Sequence, residues 1–573
     1  MELFARTCDA LSNESSSLRK VEIISESLKQ IAADKELQLF CVYLTGVVYP
    51  AYVQKTINVG QAFIRDAVIN LLGISKEEWN EAYSQFGELG EATEFLMQRF
   101  EKTTNSDPAD LFSLEGALDP ATSSVSTKVS LSEFEEYIAQ LNQNSSSLMK
   151  VSIISDLLNR LTSVEAKFAT KLLSGRMRIG VQEATVEDAI AKTYDVDKKL
   201  VKKMNFYLGD IGEVARRCKE HDFGNLEFKL FHPIKAMLAS AEVDIEEIFK
   251  RMGDQVWLEY KYDGIRAHIH KQGNQVEIFT RDQKNITAQF PEVAESMKQF
   301  DHSFLIDGEI VPFRDDKIQA FADLQKRLGR KEKLDEAVRD NPTRFVAYDF
   351  LYLDGEVLFD KPLKERREML YQIFDGNMMF SSQKIVATPK EFTEFFVQSK
   401  TEGREGLMVK NPASKYESGK RGIHWLKYKQ TLDPLDVVVL MVEYGEGKNA
   451  RYLSNYTFGV WDEKHENLVP VGRVYSGATE EDLKHFTEYM PTIATEQIER
   501  GYKLEPKVIF EVGFENIQKS ERHGAGYAVR FPRILRIRTG DKPLDEISTI
   551  EDVKRGWEKL NGTETPSVDN EEN

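Results

Sequence analysis

A chain of 573 residues is too long for one hydrophobic core, and its length corresponds to roughly three or four domains. With 41% hydrophobic and 30% charged residues the composition is that of an ordinary soluble protein, and the formal net charge of −18 excludes nonspecific polyanion binding by the whole surface while leaving room for a local basic groove. Cys8, Cys41 and Cys218 are too scattered for a disulfide framework or a paired-cysteine zinc site; with no long apolar run and no secretory pattern at the N-terminus, a cytoplasmic protein without a membrane segment is expected.

Residues 1–230 carry apolar residues at three- and four-residue spacing, as in Val21, Ile24, Leu28 and Ile31, which predicts helices. An internal repeat runs through them. SSSLRKVEIIS begins at Ser15 and SSSLMKVSIIS at Ser145, an offset of 130 (145 − 15). FCVYLTG from Phe40 is echoed by FATKLLSG from Phe168, and GELGEATEFL from Gly87 by GDIGEVARRC from Gly209. Two related helical units, each presenting one face to the other, are expected. The second copy has Arg176 and Arg178 where the first has Val48 and Pro50 or their neighbours, which makes it the candidate for phosphate contacts and the first a scaffold. Two solvated arginines after a helix are the equally simple alternative. Between the copies, Asn105 to Lys128 is a Ser-, Thr-, Asp- and Pro-rich linker, and the helical pattern resumes after Ser132, an N-cap with Glu135 three residues on.

At Phe231-His232-Pro233 the pattern becomes mixed. FHPIKAMLASA leads through a helix, Ile245 to Arg251, into VWLEYKYDGIRAHIH, read as strand, tight turn at Asp263-Gly264, strand. HIHKQGNQVEIF turns at Gly273-Asn274, and FLIDGEIVPF, FVAYDFLYL, GLMVKN and WLKYKQ follow. Residues 231–432 therefore read as an α+β domain on antiparallel sheet. After the break at Leu432-Asp433-Pro434, five short strands and one helix, ATEEDLKHFTEYM, suit a small OB-type barrel over residues 433–561. The polar, acidic end, residues 562–573, reads as disordered.

The chemistry-bearing residues lie in the middle part. Lys261 ends an apolar strand with Arg266 five residues on; nearby positive charge and partial burial favour a free amine, the form a covalent nucleophile needs. Alternation puts Asp307 and Glu309 on one strand face, Glu405 and Lys410 bracket another strand, and Lys420, Arg421, Lys427 and Lys429 cluster around Trp425. Two carboxylates with four to six cations suit a metal-bound triphosphate, although lysines two apart on a strand are ordinarily a wet face. His268 and His270 share a strand face with no third ligand in sight, so they read as surface histidines.

Lys261-Tyr262-Asp263-Gly264-Ile265-Arg266 resembles the KxDGxR signature of the covalent nucleotidyltransferases, the superfamily of ligases and capping enzymes. Thr280-Arg281, IDGEIV, AYDFLYL, EGLMVK and WLKYK fall in the order of its further motifs, and RFPRILRIR from Arg530 looks like the last. The FHPIKAMLASA lead-in, GKRG and VGRVYSGATEEDL are similar to ATP-dependent DNA ligases of the archaeal and bacterial kind, over nearly the whole chain.

That resemblance implies an all-α N-terminal DNA-binding domain, an α+β nucleotidyltransferase domain with ATP-grasp-like antiparallel sheets, and a C-terminal OB-fold β-barrel. It implies that Lys261 takes AMP from ATP in a phosphoramide bond, that Glu259 reads the adenine and that Tyr348 stacks on it. Arg266 would contact the ribose side and Arg281 the phosphates; Glu309 and Glu405 would bind ribose or Mg2+ (or Mn2+); Arg421, Lys427 and Lys429 would neutralise phosphate. Arg538 and Lys542 of the barrel would assist pyrophosphate release, although Arg538-Thr539-Gly540-Asp541-Lys542 is one residue longer than the family's Arg-x-Asp-Lys. The expected partner is nicked double-stranded DNA in replication, repair or recombination, bound by a monomer; a sliding-clamp partner is not readable from the sequence. An RNA ligase or capping-type nucleotidyltransferase shares the lysine motif but not the duplicated helical region. A noncatalytic DNA clamp would have no need of the intact Lys261, Glu309, Glu405, Lys427 and Lys429, and the four-cysteine zinc module of NAD-dependent ligases has no counterpart.

Overall fold

A computed structural model describes residues 1–104, 129–319, 321–325, 327, 334–374, 376–429, 433–446, 449–520 and 525–561. The linker 105–128, Leu432 of the break at Leu432-Asp433-Pro434 and the tail 562–573 lie outside the described residues. The chain divides into two compact units, Met1–Ile234 and Lys235–Asn573.

The first unit is helical. α1 (Glu2–Ser12), α2 (Ser17–Leu28), α3 (Asp34–Leu44), α4 (Gln61–Leu72), α5 (Lys76–Phe86) and α6 (Leu89–Thr104) are repeated in order. Their counterparts are α7 (Leu131–Gln143), α8 (Ser147–Asn159), α9 (Ser163–Leu173), α10 (Glu183–Tyr194), α11 (Lys198–Leu208) and α12 (Ile211–Glu220). The offset is 130 at α8 (147 − 17) and 122 at α10 (183 − 61), because residues 174–182 form a shorter connection than residues 45–60.

The copies do more than face each other: they exchange helices. α4 packs on α8 while α10 packs on α2, and α6 packs on α9 while α12 packs on α3. One core therefore runs from Phe4 and Phe40 through Phe134 and Phe168 to Val214. Two buried lysines lock the exchange reciprocally. Lys20 Nζ donates to the carbonyls of Ile179 (3.0 Å) and Gly180 (2.9 Å), and Lys150 Nζ, its repeat mate, donates to the carbonyl of Asn58 (2.7 Å). Buried ammonium groups persist only when their donors are satisfied, so these contacts fix the pairing of the copies. The start of α7 corrects the sequence reading. Ser130, not Ser132, is the N-cap and forms a capping box with Glu133, while the Ser132 hydroxyl donates to Glu36 of α3 at 2.6 Å. Both serines fit the Ser-x-x-Glu pattern, and the contact with α3 decides between them.

The second unit begins with β1 (Leu238–Ala241), α13 (Ile245–Met252), β2 (Val256–Lys261), β3 (Ile265–Gln272), β4 (Gln275–Thr280) and α14 (Pro291–Met297). β5 (Phe304–Arg314), β6 (Lys317–Ile318), α15 (Phe321–Gln325), α16 (Leu334–Asp340), β7 (Thr343–Leu353), β8 (Glu356–Val357) and α17 (Leu363–Phe374) follow. β9 (Met379–Phe380), β10 (Gln383–Val386), α18 (Pro389–Thr401), β11 (Gly406–Lys410) and β12 (Arg421–Tyr428) complete this part. One sheet has the order β1-β12-β11-β2-β10 and the other β4-β3-β5-β7-β8, with β6 on β5 and β9 on β7. All pairings are antiparallel except β1 with β12 and β7 with β9.

β2 and β3 do not form the hairpin the sequence suggests: they enter different sheets. The chain crosses between the sheets at Gly264, where a Cβ would lie 2.4 Å from the Ile310 carbonyl oxygen and 2.7 Å from Glu309 Cγ. Only glycine fits so close a backbone approach.

The C-terminal part is strand-rich. β13 (Leu435–Tyr444), β14 (Leu453–Trp461) and β15 (Leu468–Val474) form a meander, followed by α19 (Glu480–Tyr489), β16 (Ala494–Ile498), β17 (Gly501–Leu504) and β18 (Ile509–Gly513). β19 (Asn516–Lys519), β20 (Tyr527–Arg530), β21 (Arg533–Ile537) and α20 (Ile550–Asn561) end it. Long β13 pairs with β14, β17 and β18, and β18 pairs with β21, wrapping the strands of this OB-type fold around Val437, Tyr456, Phe458 and Phe510. The sequence pattern suggested five strands and one helix. The hairpins β16–β17 and β19–β20 and the helix α20 are additions, and α20 packs Val553, Trp557 and Leu560, spaced as one helix face, onto the same core.

Candidate functional site

Alternation along β2 decides what faces the cleft. Val256, Leu258 and Tyr260 enter the core, which turns Glu259 and Lys261 to the other side. The register then brings Met408 of β11 beside Glu259, Gly406 beside Lys261, and Trp425 and Lys427 of β12 beside Lys410 and Met408. The second sheet supplies Arg266 of β3, its register partner Glu309 of β5, and Tyr348 of β7. Together they line a cleft of about 270 Å³. Of the residues expected at the nucleotide or its metal, Lys261, Glu259, Arg266, Arg281, Glu309, Tyr348, Arg421, Lys427 and Lys429 line it, and Glu405 does not.

Lys261 shares the cleft with Lys427 and Lys429, but an acid that the local sequence did not reveal stands against it. Its amine is ion-paired to Glu405, whose other oxygen pairs with Lys429. Arg266 turns away and donates to Asp307 from Nε (3.1 Å) and Nη2 (2.6 Å), and its third arm reaches the Met237 carbonyl at 2.5 Å. Its guanidinium lies 5.6 Å from the ring centre of Tyr348 and 5.7 Å from that of Trp425. Asp307 also accepts from the Tyr416 hydroxyl at 2.8 Å. Burial opposes its charge, but Arg266 and His268 hold it below the ordinary carboxylate range.

At Glu259, Oε2 accepts from Lys410 Nζ and from Ser381 Oγ, both at 2.8 Å, while buried Oε1 accepts no hydrogen bond from the described residues. Burial alone would raise this carboxyl; Lys410 and Arg367 overturn that and hold it below its usual range. The Lys410 ammonium lies 4.6 Å from the ring centre of Tyr348 and 4.3 Å from that of Trp425. Cations thus back both aromatic rings.

Glu309 is the unmatched acid of the site. It accepts no hydrogen bond from the described residues, and burial pushes it up to about 8, against the pull of Lys261 and Arg266. An orphaned carboxylate beside the Lys261–Glu405 pair is a hard oxygen donor set that fits a divalent cation. Among the described residues no group of three or more His, Cys, Asp and Glu side chains is placed to hold one by itself. His268 and His270 are buried rather than on the surface: His268 Nε2 is 3.1 Å from the Tyr416 hydroxyl, and His270 stands edge-on to Phe279. The alternation that pairs them on one face was legible, but not which face is covered.

Arg538 and Lys542 do not line the cleft. Arg538 pairs with Asp436 (3.4 Å), Glu511 (3.3 Å) and Asp541 (3.0 Å), and Lys542 shares Asp436 at 3.4 Å. Arg176 and Arg178 belong to the helical unit, where Arg178 is ion-paired to Glu88 at 2.5 Å. Residues that sequence reasoning missed include Arg367, Ser381 and Glu515. Glu515, which follows β18, lies 3.6 Å from Lys429 and 4.0 Å from Lys427. Lys410 and Trp425 stand within the charged cluster of the sequence, where nothing local marks a role for either.

The sequence matches families described as "ATP dependent DNA ligase domain" over residues 236–429, "DNA ligase N terminus" over 1–191 and "ATP dependent DNA ligase C terminal region" over 449–541. A "Probable DNA ligase" of Koribacter versatilis is 35% identical over 578 residues, covering 96% of this chain and 95% of that protein. The "DNA ligase" of Archaeoglobus fulgidus is 32% identical over 560 residues, covering 96% and 97%. The solved structure "Pmar-Lig_PreS3" shares the fold, with a TM-score of 0.57, 18% identity and coverage of 93% of this chain and 99% of that one. The chain belongs to the ATP-dependent DNA ligase family.

Proposed function

We propose that this protein seals nicks in duplex DNA with ATP, acting as a monomer in the cytoplasm, in replication, repair or recombination. The observation that carries the reading is the position of Lys261 on the wall of a cleft that offers Glu259, Tyr348 and Trp425 to a base and Arg281, Arg421, Lys427 and Lys429 to phosphates. In the first step Lys261 Nζ attacks the α-phosphorus of ATP. A nitrogen–phosphorus bond forms and the bond to pyrophosphate breaks. A DNA 5′-phosphate oxygen then takes the AMP, releasing Lys261, and attack by the 3′-hydroxyl closes the strand and releases AMP.

Glu259 reads the base and Tyr348 stacks on it, with Arg266 at the ribose side. Arg281, Arg421, Lys427 and Lys429 stabilise charge that develops on the phosphates. Glu309 and Glu405 would hold a divalent cation, Mg2+ or Mn2+, which when bound neutralises phosphate charge. Arg538 and Lys542 serve pyrophosphate departure in the first step. The working division is residues 1–230 for DNA, 231–432 for adenylylation and 433–561 for the OB-fold.

The charge difference between the helical copies supports a DNA grip in the second. α11 exposes Lys198, Lys199, Lys202 and Lys203, whereas the matching positions of α5 are Lys76, Glu77, Asn80 and Glu81. Arg176 and Arg178 belong to the same copy as α11. A duplex contacted there would meet phosphate-binding cations from one copy and scaffold from the other. The test is to incubate the protein with each nucleoside triphosphate, record its intact mass, and then offer a nicked duplex. An AMP adduct that disappears as sealed strand accumulates supports the reading; sealing without any adduct overturns it.

A further inference from the structure

We propose that Arg367, on α17 and outside every motif of the active site, is the positioning residue that sets this protein's preference for the 6-amino group of ATP, by fixing Glu259 from behind. The inference rests on the reading that the base lies against Glu259. Arg367 is 1% exposed and has no place among the cleft-lining residues, so it acts through others. Its Nη1 lies 3.8 Å from Glu259 Oε1 and donates to Ser381 Oγ at 3.2 Å; its Nη2 donates to the Tyr371 hydroxyl.

The geometry gives Arg367 two effects. Because it donates to Ser381 Oγ, it turns that hydroxyl's single proton toward Glu259 Oε2, where the 2.8 Å bond is seen. Because its charge stands beside Oε1 without a hydrogen bond to it, Arg367 helps Lys410 keep the carboxyl an anion, whose buried, unpaired Oε1 can only accept. Lys410 and Ser381 already occupy Oε2, so Oε1 is the oxygen left for a ligand. A purine with a 6-amino group brings an N–H donor to that oxygen. A 6-oxo purine brings a second acceptor, and a purine with no 6-substituent leaves the buried oxygen unpaired. A fork-shaped guanidinium can serve Ser381, Tyr371 and the field at Glu259 together; a point-charge ammonium on a shorter reach cannot.

The test uses the full chain and reads the rate of AMP- or analogue-adduct formation by intact mass. The nucleotides are ATP, purine riboside 5′-triphosphate (no 6-amino group) and GTP, over a range of concentrations. Ratios of kcat/KM between nucleotides do not depend on the active fraction of a preparation. The wild type is expected to favour ATP over purine riboside triphosphate by about tenfold or more. Arg367→Met should bring that ratio close to one, raise KM for ATP with the saturated rate changed only a few-fold, and increase the relative use of GTP. Arg367→Lys should restore part of the preference, and Ser381→Ala should move the ratio in the direction of Arg367→Met. If Arg367→Met and Ser381→Ala both keep the wild-type ratio, Arg367 is structural and the inference is overturned. Should Arg367→Met not fold, Arg367→Lys and Ser381→Ala decide by the same ratio. A wild type that uses the two adenine-like triphosphates equally overturns the placement of the base against Glu259 instead.

Discussion

The carboxylate of Glu405 is ion-paired to the amine of Lys261, and its second oxygen to Lys429, so one acid spans the proposed nucleophile and a cation proposed to bind phosphate. The pair fixes Lys261 at the end of β2 but also occupies its amine, and an arriving triphosphate must compete for it. Lys261→Ala should abolish the AMP adduct seen by intact mass with ATP and Mg2+. Lys261→Arg should fail equally, because a guanidinium stays protonated and has no lone pair with which to attack phosphorus. Glu405→Gln, which leaves Lys261 and Lys429 without their shared acid, should slow adduct formation by about a hundredfold. An adduct of normal yield on Lys261→Ala would sink the assignment of the nucleophile.

The helical unit is expected to grip DNA without taking part in nucleotide chemistry. Removing residues 1–228 should leave adduct formation within a few-fold of the full chain and raise the DNA concentration needed for sealing. Reversing the charge at Arg176 and Arg178 should weaken binding and flatten the plot of log affinity against log salt by about two units for two lost phosphate contacts. Lys202→Glu with Lys203→Glu, on the exposed face of α11, should act in the same direction, whereas Glu77→Lys on α5 should have little effect. Fluorescence anisotropy on a nicked duplex at several salt concentrations separates these outcomes. Unchanged affinity of the truncated protein would make the second copy a scaffold.

A carboxyl at the contact of α12 with α3, held low by arginines of its own helix, makes the stability of the helical unit depend on pH. Glu213 of α12 accepts from Arg216 and Arg217 and from Gln38 of α3 at 3.1 Å. Bonding to Arg216, against burial, and then to Arg217 lowers its carboxyl to about 2. A carboxyl depressed in the folded state adds stability above its unfolded value of about 4.5, and that stability is lost as pH falls through the folded value. Allowing for partial exposure, the contribution is about 1–2 kcal/mol at neutral pH. In a fragment of residues 1–234, Glu213→Gln should lower Tm at pH 7, and the difference from wild type should shrink between about pH 4.5 and pH 2. A Tm difference that does not change over that interval would show that Glu213 contributes by packing alone.

The cleft was legible in the sequence because Glu259, Lys261, Arg266, Glu309, Lys410 and Lys427 interrupt apolar strands, and alternation then decides which face each takes. Glu259 with Lys261, and Asp307 with Glu309, could be placed on common faces in this way. What alternation does not carry is which sheet a strand joins. β2 and β3 looked like a hairpin, but the passage of Gly264 over Ile310 sends them into separate sheets, and this puts Arg266 on the wall facing Lys261 rather than beside it. Burial of His268 and His270 depends on Tyr416 and Phe279, which are distant in sequence or on another strand. Arg367 lies in the helical run LKERREMLYQIF, where arginines ordinarily face water, and nothing local marks it as buried behind Glu259. The helix exchange of the first unit was hidden for a related reason: a repeat reveals two copies but not which copy's helices each one packs against.

The last relationship concerns Arg538 and Lys542. Both are held by Asp436 in the C-terminal part, and Arg538 is also held by Glu511, so neither lines the nucleotide cleft in this conformation. The extra residue in Arg538-Thr539-Gly540-Asp541-Lys542 is absorbed by a turn: Gly540 has φ +96°, and the Lys542 amide donates to the Arg538 carbonyl at 3.0 Å. The turn brings the two cations to one carboxylate, which supports a shared role despite the unusual spacing. If the strand-rich part closes over ATP, these cations exchange Asp436 and Glu511 for the departing pyrophosphate. The second and third steps involve no pyrophosphate and would leave them idle. Arg538→Ala and Lys542→Ala should therefore each slow adduct formation from ATP, by about a hundredfold for one lost phosphate contact. Sealing of a nick that already carries AMP should stay within a few-fold of wild type. Gly540→Val should resemble Lys542→Ala, because a β-branched residue resists the positive φ that turns Lys542 back toward Arg538. Both half-reactions are to be measured on all three variants, adduct formation by intact mass and sealing on a pre-adenylylated nick. Equal losses in the two would assign Arg538 and Lys542 to holding the C-terminal fold or the DNA, through Asp436, rather than to pyrophosphate departure.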